Sequence, residues 1–297
     1  MDAVVNAAVR LGGFAATLGL VFGAALWTGA FAEVPAALAP APAGGDPHAE
    51  AAAAIPITLG LESSGLVSTA AGYALVPRSP TAFRAGVPGE LAFIVTGTGG
   101  RAVTAFEPRD ERLLGLVVAR RDGAGYQRLD PQLGPDGVWR APLTLPGGVH
   151  RAYAEFVPAG GPPLVLGLDL FAGGALDPGV FPLSPVAHVG DYVVRVDADL
   201  APGRRSEVFV TIDRGRLPVA DLEPYMGARG HLVAVRQSDL ARLPTVALPP
   251  STTPGAGHRS GPGLLFTVDV PAAGRHRLFV EFVHRGVLHT AEFAVGG

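Results

Sequence analysis

The chain has 297 residues, a formal charge of −3, 41 glycines, 28 prolines, no cysteine and no lysine. Without cysteine there are no disulfides, thiolate metal centres or cysteine nucleophiles. The slight net acidity also removes the basic field that a nucleic-acid partner requires.

The first element is apolar. Residues 11–32, "LGGFAATLGLVFGAALWTGAFA", carry no charge and follow Arg10. About 20 such residues suffice for one helix to cross a bilayer, and Trp27 lies where an interfacial aromatic would anchor it. Arg10 on the near side predicts a single-pass protein of the cell membrane, held through residues 11–32 with its C-terminal part extracytoplasmic. Ala30-Phe31-Ala32 also satisfies the small-x-small rule for a cleaved signal peptide, which would make the protein secreted. Both readings of residues 1–32 export the body of the chain. Residues 33–55, rich in Pro and Ala and containing His48, read as a semi-extended tether.

The remainder divides by repetition into 56–180 and 186–297. "GYALVPRSPTAFRAGVPGELAFIVTGTGGRAVTAFEP" from Gly72 aligns with "DYVVRVDADLAPGRRSEVFVTIDRGRLPVADLEP" from Asp191. Tyr73 meets Tyr192, Glu90 meets Glu207, and Glu107-Pro108 meets Glu223-Pro224. Further on, His150-Arg151 meets His276-Arg277, and Glu155-Phe156 meets Glu281-Phe282. A match along the whole unit indicates duplication, and the Gly/Pro-rich stretch from Gly173 to Pro185 is the natural joint. Segments such as "GELAFIV", "SEVFVTI" and "RLFVEFV" have strand length and strand composition, bounded by turn residues. The predicted fold is all-β, two tandem immunoglobulin-like sandwiches each with its own core. In the strand from Arg277 to His284, Leu278, Val280 and Phe282 face one way; Phe279, Glu281 and Val283 face the other.

Catalytic patterns are missing. There is no nucleophile elbow, phosphate loop or HExxH helix. "GTGG" at Gly97 reads as a hairpin loop, and Asp110-Glu111 as a solvated turn. The sequence is that of a protein that is not an enzyme.

Three stretches carry a resemblance: "VVARRDGAGYQRLDP" (Val117 to Pro131), "GHLVAVRQSDLARL" (Gly230 to Leu243) and "RLFVEFVHRGVLHTAEFAV" (Arg277 to Val295). They are similar to a family of membrane-anchored actinobacterial cell-envelope proteins with tandem heavy-metal-associated β domains, linked to copper handling. The resemblance covers nearly the whole body and implies metal ligation by strand histidines, with copper or zinc as the ion. The family's HVHP is here Arg128-Leu129-Asp130-Pro131 in the first copy and Pro244-Thr245-Val246 in the second, and its first strand histidine is Gly115. A guanidinium is no ordinary ligand, so the resemblance implies that the first copy has lost its metal. In the second copy His231 and His289 match family histidines, with His284 across the hairpin from His289. All three become candidate ligands of a weak site, with His231 and His289 expected at the start of their strands on the inward side. The rival reading is rim histidines bonded to carbonyls; His48 and His258 are read as solvated.

Three functions follow: an envelope protein with weakened or lost metal binding, a structural or adhesive sandwich pair that binds a protein partner, or an accessory subunit beside a metal transporter.

Overall fold

In the computed structural model, residues 64–248 and 263–297 are described. The apolar run 11–32, the tether, His48 and His258 lie outside them. Among the described residues no helix is long and apolar enough to cross a membrane.

The first sandwich contains β1 (Thr69–Ala70), β2 (Tyr73–Pro77), β3 (Ala82–Arg84), β4 (Gly89–Thr96), β5 (Phe106–Glu107), β6 (Leu114–Arg120), β7 (Gln127–Leu129), β8 (Gln132–Leu133), β9 (Trp139–Leu143), β10 (Gly148–Pro158) and β11 (Leu164–Gly173). The second contains β12 (Val186–Val189), β13 (Tyr192–Ala198), β14 (Arg204–Arg214), β15 (Leu217–Pro218), β16 (His231–Arg236), β17 (Arg242–Leu243), β18 (Thr245–Leu248), β19 (Gly263–Val270), β20 (Arg275–His284) and β21 (Val287–Gly296). Sheet order in the first is β1-β2-β4-β9-β8 against β3-β11-β10-β6-β7, with β5 beside β10. In the second it is β12-β13-β14-β19-β18, with β15 beside β14, against β17-β16-β20-β21.

The expected all-β, tandem immunoglobulin-like fold is present, and the strand ladders reproduce the sequence repeat. Gly115 lies opposite Glu155 and His231 opposite Glu281. His150 lies opposite Arg120 and His276 opposite Arg236. Val157 faces Glu107, and Val283 bridges Glu223. Gly97–Gly100 closes a turn, with Gly100 N–H donating to the Gly97 carbonyl.

Burial separates two kinds of sheet. In β14 Ser206, Val208, Val210 and Ile212 are buried while the intervening side chains reach outward, the alternation of a sheet with one wet face. β6 and β20 are instead buried on nearly every residue. The cause is a third core besides the two intra-sandwich ones. It joins Val117, Ala119, Tyr153 and Val165 of the first sandwich to Val233, Val235, Leu240 and Phe279 of the second. The described residues thus form four stacked sheets, with the two inner ones packed face to face. Tyr126 stacks on Phe279 at 4.2 Å between centroids, and Tyr153 Oη donates to the Leu240 carbonyl at 2.7 Å. The Arg277 guanidinium lies 3.7 Å from the Phe181 ring centroid and donates from Nε to the Gly123 carbonyl.

Candidate functional site

The apolar seam between the sandwiches gives way at one end to buried charge. Glu281, 1 % exposed, points from β20 toward the first sandwich. It accepts from Arg128 Nε at 2.6 Å and Tyr126 Oη at 3.0 Å. Its repeat mate Glu155 points the other way, pairing with Arg242 Nη2 at 2.7 Å and Arg109 Nη1 at 3.4 Å. Arg242 is opposite Val235. Gln127 is opposite Val118, so the next step of that ladder brings Tyr126 to Ala119, the mate of Val235. Each repeat therefore sends a donor from the same place to the same carboxylate of its twin, an isologous contact within one chain. Burial alone would raise the Glu155 carboxyl, but Arg242 and Arg109 outweigh it and hold the group below its ordinary value. Burial drives the Tyr126 hydroxyl well up, and the neighbouring Glu281 adds to that.

Beside these pairs opens a cleft of about 250 Å³ whose walls include Arg109, Arg112, Gly115, Arg128, His231 and Arg242. Two matched turns form its lips. Arg109 and Arg112 exchange backbone hydrogen bonds, as do Tyr225 and Ala228. Between them Asp110 (φ 49°), Glu111 (φ 62°), Met226 (φ 51°) and Gly227 (φ 75°) are all left-handed. This is the geometry of type I′ turns, which favour Asn-Gly and penalise other side chains. A Cβ on Gly227 would lie 4.0 Å from Glu111 Oε1, so the lips face each other. Met226 is the clearest misfit, since a left-handed conformation costs an ordinary residue roughly 1–2 kcal/mol. Met226→Gly is expected to raise unfolding free energy by about 1 kcal/mol, net of glycine's added unfolded-state entropy. A shifted denaturant midpoint at constant slope would register the gain.

The three candidate histidines do not converge. His231 shares a face with its ladder partner Glu281, looking into the cleft, and its Nε2 is 2.7 Å from the Tyr225 carbonyl. His289 is opposite Phe282, the next residue along β20, and so lies on the other face of the same sheet. Its ring stacks on Phe282 at 5.1 Å and tilts against Tyr192 at 4.6 Å. His284 shares that inner face; its Nδ1 is 2.8 Å from Tyr192 Oη and its Nε2 3.2 Å from Asp221 Oδ1. The structure therefore gathers His284 and His289 around Tyr192 and leaves His231 beyond the sheet. The expected inward placement of His231 is corrected by the register that pairs it with Glu281. Burial, then the neighbouring His284, lowers the His289 pKa. Among the described residues no three His, Asp or Glu side chains are grouped as around an ion.

In the sequence Arg128 stands out only as a replaced ligand and Glu155 and Glu281 only as a repeat match; Arg109 and Arg242 do not stand out at all. One signal was available: a carboxylate stands in the middle of an otherwise apolar strand twice, at the same repeat position.

Residues 187–296 match a family described as "Domain of unknown function (DUF8832)". No curated protein matches the chain. Among solved structures, the chain is similar to the Escherichia coli adhesin FdeC, with 16% identity over 80% of this chain and 66% of that one, TM-score 0.24. It is also similar to the Yersinia pseudotuberculosis adhesin InvE, with 13% identity over 75% and 58%, TM-score 0.23. A third is invasin, a bacterial integrin-binding protein, with 12% identity over 79% and 41%, TM-score 0.23. The chain thus spans only part of each of these proteins. The fold class stands on the sheets described above.

Proposed function

We propose that this chain is a non-enzymatic partner-binding protein of the cell envelope, a structural or adhesive pair of β-sandwiches. One observation carries the reading: the reciprocal carboxylate–guanidinium contacts between the sandwiches. They occupy the end of the seam where Gly115, Arg128 and His231 stand, positions to which the resemblance would assign imidazoles. Side chains there hold two sandwiches together, which suits a rigid body that presents loops. The apolar run 11–32 supports export of that body.

The alternative, metal handling, has weaker support, because His284 already engages Tyr192 and Asp221 and two imidazoles fall short of the three or four protein ligands usual for zinc. Titrating Cu(II) or Zn(II) into the full chain is expected to show no site tighter than about 1 μM. Cross-linking in intact cells is expected to trap a protein on the exposed loops. A tight metal site that disappears in His284→Ala/His289→Ala would instead make metal handling the function. A tight site lost in His231→Ala would place the metal in the cleft, with the same consequence.

A further inference from the structure

We infer that the cleft between the two turns is a carboxylate-binding site, filled by an acidic side chain of a partner segment. The site itself stands on the geometry; only the source of the carboxylate rests on the partner-binding reading.

Donors outnumber acceptors there. Four guanidiniums, of Arg109, Arg112, Arg128 and Arg242, line the cleft against two lining carboxylates, Asp110 and Glu155, with the Glu111 carboxylate at the lip. Glu155 is already engaged by Arg242 and Arg109, and Arg128 is committed to Glu281. Arg109 and Arg112 are not saturated. Each guanidinium carries five N–H donors, yet among the described residues Arg109 meets one side-chain acceptor, at 3.4 Å, and Arg112 meets one, the largely exposed Asp130. Their side chains are 47% and 22% exposed, so both can be reached from solution. Planar guanidiniums with free edges take carboxylates in paired hydrogen bonds. A cation would meet the same four positive groups and no free buried carboxylate.

Size and rim point to a side chain and not to a whole ligand. The 250 Å³ of the cleft falls below the ~300–1,000 Å³ usual for small-molecule sites. Its floor has room for a side chain at Gly115, where a Cβ would make ordinary van der Waals contact with Glu155 at 3.8 Å. Leu113 and Val246, both among the exposed large hydrophobics, lie on its wall with Met226, so aliphatic surface adjoins the guanidiniums. Three non-glycine residues held left-handed on the lips fit a site where the backbone is constrained for binding.

The test is calorimetric titration of the full chain with three probes: a short end-blocked peptide with one glutamate between leucines, its glutamine counterpart, and succinate. The glutamate peptide is expected to saturate, to weaken as salt is raised, and to bind about ten-fold or more tightly than the glutamine peptide. Arg109→Ala/Arg112→Ala should lose at least about ten-fold; it leaves Glu155 with Arg242, so the fold is kept. Gly115→Leu should block binding by filling the floor, with the Tm serving as the folding control. Succinate binding as tightly as the peptide would assign the same site to a free dicarboxylate. Equal affinity for the glutamate and glutamine peptides, no saturation with any probe, or wild-type affinity in the double arginine variant would overturn the assignment. Cellular partner capture that survives the double variant would leave the partner-binding function standing while the cleft assignment falls.

Discussion

Glu281→Ala is expected to destabilise the protein by about 3–5 kcal/mol, because it strands a buried positive charge. The carboxylate is 1 % exposed and has two donors from the other sandwich, Arg128 and Tyr126. Removing it leaves the Arg128 guanidinium in the seam with only a weak contact to Tyr126, at 3.5 Å. For a protein of this size each kcal/mol moves the Tm by roughly 2–4 °C, so a fall of about 10 °C is expected. Arg128→Ala should do comparable damage from the opposite side. Glu155→Ala should do less, since that side chain is partly solvated and Arg109 beside it is already half in water. Replacing both partners together, as Glu281→Leu with Arg128→Met, should recover most of the loss, because an apolar pair of similar volume needs no desolvation of charge. Denaturant unfolding of wild type, Glu281→Leu, Arg128→Met and the double variant closes a double-mutant cycle. A Glu281→Ala variant within about 1 kcal/mol of wild type would mean that the seam is wet and the sandwiches are not locked there.

The strands and their duplication were legible because both depend on local pattern. "SEVFVTI" alternates and becomes β14; "RLFVEFV" assigns Leu278, Val280 and Phe282 to one face, and these are the residues found in the second core. The third core was less legible. Phe279 is visible as the opposite face of its strand, but Val233 and Val235 share the face of His231, which the sequence reading places inward, and nothing local says that one outward face meets another. The available sign was that β20 is apolar on both faces, the mark of a strand with no wet side. The histidines show the same limit. That His231 begins a strand and His289 stands near the start of one, two residues in, can be read from the pattern. Which face each takes depends on which residue it pairs with across the ladder, Glu281 or Phe282, and those two differ by one residue. A one-residue difference in register reverses the face.

A second large effect concerns pH and the repeat pair His150 and His276. Both are fully buried, and no ring nitrogen of either makes a hydrogen bond of good geometry, the backbone carbonyls of Gly148 and Gly274 standing near without full alignment. Each lies opposite an arginine that forms a two-pronged pair with an aspartate, Arg120 with Asp122 and Arg236 with Asp239. Burial is the largest influence on both rings and lowers their pKa. Arg120 and Arg236 push the same way, against Asp122, Asp239 and the carbonyls of Gly148 and Gly274. A histidine whose folded pKa is depressed stabilises fully above its unfolded value, near 6.5. That contribution is lost as pH falls through the folded value, because the unfolded chain then binds more protons. Unfolding free energy is therefore expected to be flat between pH 7 and 8 and to decline below about 6.5, at a slope of up to ~2.7 kcal/mol per pH unit for the two rings together. His150→Leu and His276→Leu should each remove about half of the share that belongs to these two rings, and the double variant all of that share, leaving the slope of His289, which burial also holds below its ordinary value. Little change is expected at pH 7.5, where an unpaired polar ring gives way to an apolar side chain. Measurement should stop at pH 5. Glu155, Asp122 and Asp239, all held below their ordinary values by arginine or backbone donors, lose their own contributions only at lower pH. If the double variant keeps the wild-type slope between pH 5 and 6.5, the protons that unfold the protein there are taken up elsewhere.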